Sequence, residues 1–574
     1  MTIDRKSFLK WTIGSGLGLS LNPVSISLTG RNQISNNEGT EYHVSVFGND
    51  QNDGSSSAPF KSITKASEIA EAGDIITVHE GVYRERITPP RGGTSDDQRI
   101  IYRAANEERV EIKGSEVIDT WSRFKRNTWK VVIPNTFFGE YNPYSDIIRG
   151  DWFHDLDREH HTGQVYLNGT SLDEMDKLER VLNPKPEKEL EISSRTRYTW
   201  YCETDEDNTY IYANFHGANP NREMVEINVR ESCFYPAGPG INYITIDGFH
   251  MSQAATQWAP PTAEQIGLIG TFWSKGWIIQ NNVVSESRCT GITLGKDRDT
   301  GHNVWSKNSC KGGAAHYNEV IERAIAGGWS KEKIGSHLVR GNEIFNCEQA
   351  GIVGSMGAIF SEISDNYIHD IWAKRYFSGH EMAGIKLHGP IDCLIKGNRI
   401  CNTGRGMWMD WMTQGTRISG NLCYNNSTDD LFIEVNHGPY LIDNNVLLSR
   451  QSLRDWSQGG AFAHNLIAGK IFFNPQDRKT PYFAPHSTLD KKLQDIDGGD
   501  NRYYNNIFTS DNPQDSEWQF ESKDKKDGYG TQLYNRAWLS MYVNGNVYYK
   551  KAKPYYEEQN YVMEPDFDSN VSII

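Results

Sequence analysis

Three polar side chains, His388, Asp410 and Glu434, close strand-like runs and fall 22 and 24 residues apart. The runs read Gly384-Ile-Lys-Leu-His388, Gly406-Met-Trp-Met-Asp410 and Asp430-Leu-Phe-Ile-Glu434. Each alternates. Ile385, Leu387, Met407, Met409, Leu431 and Ile433 share one face, and Lys386, His388, Trp408, Asp410, Phe432 and Glu434 share the other. If the runs stack as parallel neighbours, the first set points inward and the second outward, with Asp410 and Glu434 one rung, about 4.8 Å, apart. Two carboxyls about 5–5.5 Å apart suit double displacement at an acetal carbon, one attacking and the other exchanging a proton; about 6.5–9.5 Å leaves room for a water. Like charges this close do not both ionise readily, so one carboxyl keeps a proton for a leaving group. Outward carboxylates on a repetitive fold are ordinarily solvated surface. Here Trp408, Trp411, Phe432 and His437 lie close by in sequence, and Asp is a poor strand former, so folding alone does not explain the pair.

Such a column needs a scaffold that repeats. Asn followed by an apolar pair, or a close variant, recurs at Asn282, Asn366, Asn398, Asn421, Asn445, Asn465, Asn506 and Asn546. From Asn398 to Asn465 the separations are 23, 24 and 20 residues, one coil of a solenoid. Asn at a repeated turn can stack, amide on amide, and tolerates left-handed backbone. These Asn read as structural. The fold expected is all-β: a right-handed parallel β-helix. The longer gaps from 366 to 398, 465 to 506 and 506 to 546 must carry insertions, and another between 296 and 337 contains a helix over 318–325.

Residues 1–36 read as an export signal and linker. Arg5-Lys6-Ser7-Phe8-Leu9-Lys10 is similar to a twin-arginine signal, with Lys for the second Arg, and the apolar stretch after it is too short and interrupted to span a membrane. Export to a bacterial periplasm or the exterior is expected, with no stable membrane insertion once the signal is removed. Residues 37–115 read as an end cap with a short helix at 59–66, followed by the first coils. The repeat lapses over 116–235, where short alternating runs such as Gln164–Asn168 and Asn208–Ala213 predict an inserted antiparallel, β-sandwich-like module. Residues 236–574 form the main β-helix.

The net charge of −15 in 574 residues, with no basic cluster, argues against nucleic acid as a partner. Sixteen Trp and 28 Tyr supply rings that can stack on sugars or fill a core. The eight Cys show no metal-binding spacing, and sequence cannot pair them. Oligomeric state is left open, self-association included.

The segments His380-Glu-Met-Ala-Gly-Ile-Lys-Leu-His388, Gly406–Gly415 with its Asp-Trp-Met, and Asp430–Pro439 with Glu-Val-Asn-His-Gly-Pro resemble glycoside hydrolase family 120. His161–Gly169 in the inserted module resembles it too, and the likeness runs through nearly the whole chain after the signal. The family comprises β-xylosidases on a parallel β-helix with an added β-sandwich region. The resemblance implies Asp410 as nucleophile, Glu434 as acid/base, His380 and Glu381 on the glycone sugar, and xylo-oligosaccharides as substrate. Candidate sugar contacts are also His388, Trp408, Trp411, Asn436 and His437. No metal or organic cofactor is implied. Two other readings compete. A β-helix polysaccharide lyase would use a base such as Lys386 but wants an acidic calcium site and several basic residues. A non-catalytic sugar-binding solenoid would bind without turnover.

Overall fold

The computed structural model describes residues 2–3, 39–185, 196–303, 312–510, 527–569 and 571–573. Almost all of the expected export segment, and Cys310, lie outside the described residues. The chain is a parallel β-helix with three long sheets. Two have 13 strands, from Glu41–Val44 to Tyr542–Asn544 and from Gly81–Tyr83 to Val562–Glu564; the third has nine, from Ile269–Gly270 to Asp527–Gly528. The third starts later because the chain leaves the solenoid after Lys113 and builds the inserted module before returning. On that face of the first coils Ile87 pairs with Phe234, and Phe234 with Ile269, as isolated bridges.

One continuous apolar core fills the bore, from Val44 and Phe60 to Tyr548 and Tyr555, and Ile385, Leu387, Met407, Met409, Leu431 and Ile433 all lie in it. The inward set predicted from alternation is therefore the core. Close rungs depend on glycine at one place: a Cβ on Gly406 would lie 2.5 Å from the Asp430 carbonyl oxygen, and one on Gly384 would lie 2.8 Å from that of Gly406.

The Asn ladder is present and has one member beyond those named from the sequence, Asn342. Each side-chain amide donates to the next rung, as from Asn342 to Asn366 at 2.9 Å and from Asn398 to Asn421 at 2.9 Å. At its C-terminal end Asn546 donates to Glu558 at 2.9 Å. The left-handed residue is the one before each ladder Asn, such as Asp365, Gly397 or Asn444, not the ladder Asn itself. That arrangement turns the corner while leaving the amide free to point along the axis.

The cap helix spans Ile63–Ile69, later than expected, because Ser62 accepts from the Lys65 N–H and Glu85 accepts from the backbone of Ile63 and Thr64. The helix expected at 318–325 is longer, Gly313–Ala326. The inserted module has a four-stranded and a five-stranded sheet, antiparallel in most pairings, around a core that includes Trp121, Trp129, Trp200, Phe215 and Ile227. The seven cysteines in the described residues are free and buried, as apolar filler.

The predicted outward column is not on the surface. Strands Ala383–His388 and Asp429–Glu434 are buried throughout their length, and Arg405–Asp410 is buried from Gly406 onward. The excursions fold back over them. The Gly313–Ala326 helix and a hairpin, Arg478–Phe483 with Asp490–Ile496, share one apolar cluster with Met356, Ile391, Trp411, Met412 and Val435 at the ends of the site strands. On the other side Phe153–His154 of the inserted region pairs antiparallel with Ser378–Gly379, in the loop that carries His380 and Glu381.

Candidate active site

Register places the column as the spacing predicts. His388 is the Cα partner of Asp410, and Asp410 of Glu434, on adjacent parallel strands. The column continues to Ser355 on one side and Trp456 on the other. A second column runs beside it: Lys386, Trp408, Phe432 and Arg454. The Lys386 ammonium lies 3.2 Å from the centre of the Trp408 ring, and that ring stacks on Phe432 at 5.1 Å.

The two carboxylates have different surroundings. Asp410 is 5% exposed; its Oδ2 accepts from Lys386 Nζ at 2.6 Å and lies 3.6 Å from His388 Nε2. Its Oδ1 is buried and has no hydrogen-bond partner among the described residues. Glu434 is 9% exposed; Oε2 accepts from the Trp408 indole N–H at 3.0 Å, and Oε1 lies 3.4 Å from Arg478. Burial and then the charge of Asp410 push the Glu434 carboxyl up to about 7, against the pull of Lys386, Arg478 and Arg405. It therefore holds a proton near neutrality.

Glu381, 3% exposed, shares a hydrogen bond with His388 Nε2 at 3.0 Å and lies 3.7 Å from Lys386. Burial pushes its carboxyl up to about 7 despite that ammonium. Burial and then Lys386 push His388 down to about 3, so the imidazole is neutral, and its face meets the Tyr317 ring edge-on at 5.0 Å. Ligand atoms of Glu381, His388 and Asp410 lie within 4.8 Å of one another, close enough to hold a cation. The chain sets its own cation, Lys386, against two of them, and a divalent ion there would meet a buried ammonium.

His380 is exposed at the mouth of the site, its ring edge-on to His154 at 4.9 Å. Not every expected sugar contact has a free face. Asn436 is fully buried, and its amide is spent on the corner, accepting from Thr413 N–H and donating to the Met409 carbonyl. Trp411 packs in the apolar cluster against Tyr317, and Trp408 is covered by Lys386 and Phe432. Both rings are held in place by that packing. His437 is half-buried and bonds Thr480 of the hairpin at 3.0 Å, which anchors that excursion. Residues that sequence reasoning missed are Arg478, Tyr317 and Trp456. Arg478 and Tyr317 arrive on insertions whose spacing carries no signal; half-buried Trp456 is one rung past Glu434, where extending the column by one coil would have found it.

Residues 118–227 match the family model for the glycoside hydrolase 120 insertion domain. Residues 225–455 match that of the periplasmic copper-binding protein NosD, and 46–88 match a family of unknown function. The chain is 45% identical to XylC, solved in complex with xylose, with a TM-score of 0.87 over 92% of this chain and 86% of that one. A structure described as a glycoside hydrolase, 11% identical, shares the fold with a TM-score of 0.51 over 82% of this chain and 96% of that one. Uncharacterized protein YwoF from Bacillus subtilis (strain 168) is 39% identical over 79 residues, which are 14% of this chain and 17% of that protein's length. Identity at this level across most of both chains, with the family's insertion domain in place, shows that the chain belongs to glycoside hydrolase family 120.

Proposed function

We propose that the protein is a retaining, exo-acting β-xylosidase that releases xylose from xylo-oligosaccharides. The observation that carries this reading is the pairing of Asp410 and Glu434 on adjacent rungs in unequal surroundings, one on an ammonium and the other protonated near neutrality. One rung is close to the separation that retaining glycosidases use. The likeness to XylC, solved with xylose, supports the sugar.

In this mechanism Asp410 attacks the anomeric carbon while Glu434 protonates the departing oxygen. Forming the ester removes the Asp410 charge, and with it part of what holds Glu434 protonated. Glu434, having given up its proton, is then free to take one from the water that releases the sugar. The leaving group belongs on the Glu434 side, where Trp456 and Arg478 lie. Glu381 and His380 face the glycone. The covers formed by the inserted module, the Gly313–Ala326 helix and the hairpin favour a closed pocket and hence exo action.

Proton NMR of the first-formed sugar tests the stereochemistry: retention is expected, and initial release of the inverted anomer would remove Asp410 as nucleophile. Azide should rescue Glu434→Ala on an activated aryl xyloside. The lyase reading fits poorly, since Lys386 is wholly buried and ion-paired, and it requires products that absorb in the ultraviolet. A binding solenoid does not call for two carboxyls held in costly burial. The opening Arg5–Lys10 segment supports export, and the acidic charge supports a substrate other than nucleic acid. No helix among the described residues is long and apolar enough to cross a membrane.

A further inference from the structure

We propose that Trp456 is the platform for the leaving-group sugar, so that a xylo-oligosaccharide lies along the solenoid axis with its reducing end towards the C-terminal coils. This rests on the xylosidase reading and assigns the subsite beyond the bond that is cut. The observation that carries it is a gradient. Along the column Ser355, His388, Asp410 and Glu434, successive rungs are 0, 3, 5 and 9% exposed, and the next, Trp456, is half-buried. Access to the column therefore increases towards the C-terminal coils.

The other end of the column is shut. Ser355 Oγ donates to the Pro261 carbonyl at 3.1 Å and bonds the Tyr317 hydroxyl at 3.2 Å, and the Tyr317 ring closes on His388. A chain held at Asp410 meets packed side chains in that direction. Trp456 is the Cα partner of Glu434, one rung, about 4.8 Å, beyond the carboxyl that protonates the departing oxygen. A sugar joined through that oxygen falls on the Trp456 side.

The ring is held by the fold without being sealed in it. It meets Phe432 edge-on at 5.0 Å and Phe472 at a tilt at 6.3 Å, and the Arg454 guanidinium lies 5.7 Å from its centre. Tyr317, Trp408, Trp411 and Phe432 are 2–6% exposed, whereas Trp456 keeps part of its surface in solvent. A ring already fixed in place loses little freedom when a ligand covers it. A xylose chair with equatorial hydroxyls gathers its C–H bonds on its two faces, and with no hydroxymethyl group both faces lie flat against an indole. Arg478, 3.4 Å from Glu434 Oε1, borders the same side with N–H groups for the hydroxyls.

Two substrates test the assignment by kinetics. Xylobiose brings a second sugar to Trp456; β-xylosyl fluoride has a single atom as leaving group and reaches no further than Glu434. In Trp456→Ala, kcat/KM on xylobiose should fall about tenfold more than on the fluoride, a loss within the worth of one aromatic contact. Trp456→Phe should recover part of that difference. A xylobiose loss no larger than the fluoride loss overturns the proposal and makes Trp456 a packing residue. A wild-type enzyme that hydrolyses neither substrate overturns the xylosidase reading on which it stands. If Trp456→Ala does not fold, a crystal structure of Glu434→Gln with xylotriose decides. The second sugar is expected flat on the Trp456 indole, and a second sugar lying elsewhere, as towards His380 and His154, overturns the proposal.

Discussion

At the residue scale the pair works because two like groups are made unlike. Asp410 has an ammonium; Glu434 has an indole N–H, a more distant guanidinium and the charge of Asp410 one rung away. The proton on Glu434 is what the first step needs, so kcat/KM should fall as pH rises through about 7. Arg478 favours the ionised form of Glu434. Arg478→Gln removes that influence, so the alkaline limb should move to higher pH, with the acidic limb little changed. A pH–rate series on nitrophenyl xyloside checks this, and a limb that moved down would contradict the geometry. The carboxylates and their rung spacing were legible in the sequence. Their buried, asymmetric partners were not, because Arg478 is 44 residues from Glu434 on a hairpin whose position no periodicity encodes.

At the element scale the coils are held in register by the Asn ladder as well as by the strands. Asn398 accepts from the Asn366 backbone and side-chain amides and donates to the Ile363 carbonyl and to Asn421, all within 2.9–3.0 Å. Asn398→Ala leaves several buried groups unpaired, at roughly 1–3 kcal/mol each before relaxation. The expected outcome is a loss of about 3 kcal/mol or more in a denaturant titration, with kcat of the folded fraction unchanged. The ladder was readable from recurring Asn. Asn342, followed by Glu343 and Ile344, carries the same variant as Asn398 with Arg399 and Ile400, so the sequence held it too; the left-handed residues before each Asn are of mixed type, which hides that rule.

At the scale of the whole molecule the inserted module is locked onto the β-helix by buried charge. Glu174, on the module, pairs with Arg288 of the solenoid and with His161 at 2.7 Å, and Asp173 bonds Tyr376. Burial alone would push Glu174 up, but Arg288 and His161 outweigh it and hold the carboxyl down at about 2. A depressed carboxyl contributes stability above its unfolded value that is lost as pH falls towards 2, so docking should weaken in acid. Arg288→Met leaves a buried carboxylate without its guanidinium, which costs about 3–5 kcal/mol. Because the strand pairing of Phe153–His154 with Ser378–Gly379 adjoins His380 and Glu381, the variant should raise KM for xylobiose and expose the module to proteolysis. An unchanged KM would separate the module from the site.

Composition and period by themselves determined the solenoid, its coil length, the inward face and the stacking of His388, Asp410 and Glu434, since these follow from local alternation and a fixed repeat. The same local rules assigned that column to an open outer face. Only the tertiary structure decided otherwise: the module, the Gly313–Ala326 helix and the hairpin close over it and take its water away. That burial keeps a proton on Glu434, beside an Asp410 whose Oδ2 accepts from the buried Lys386. Desolvation depends on everything packed around a group, including segments distant in sequence, so no motif carries it.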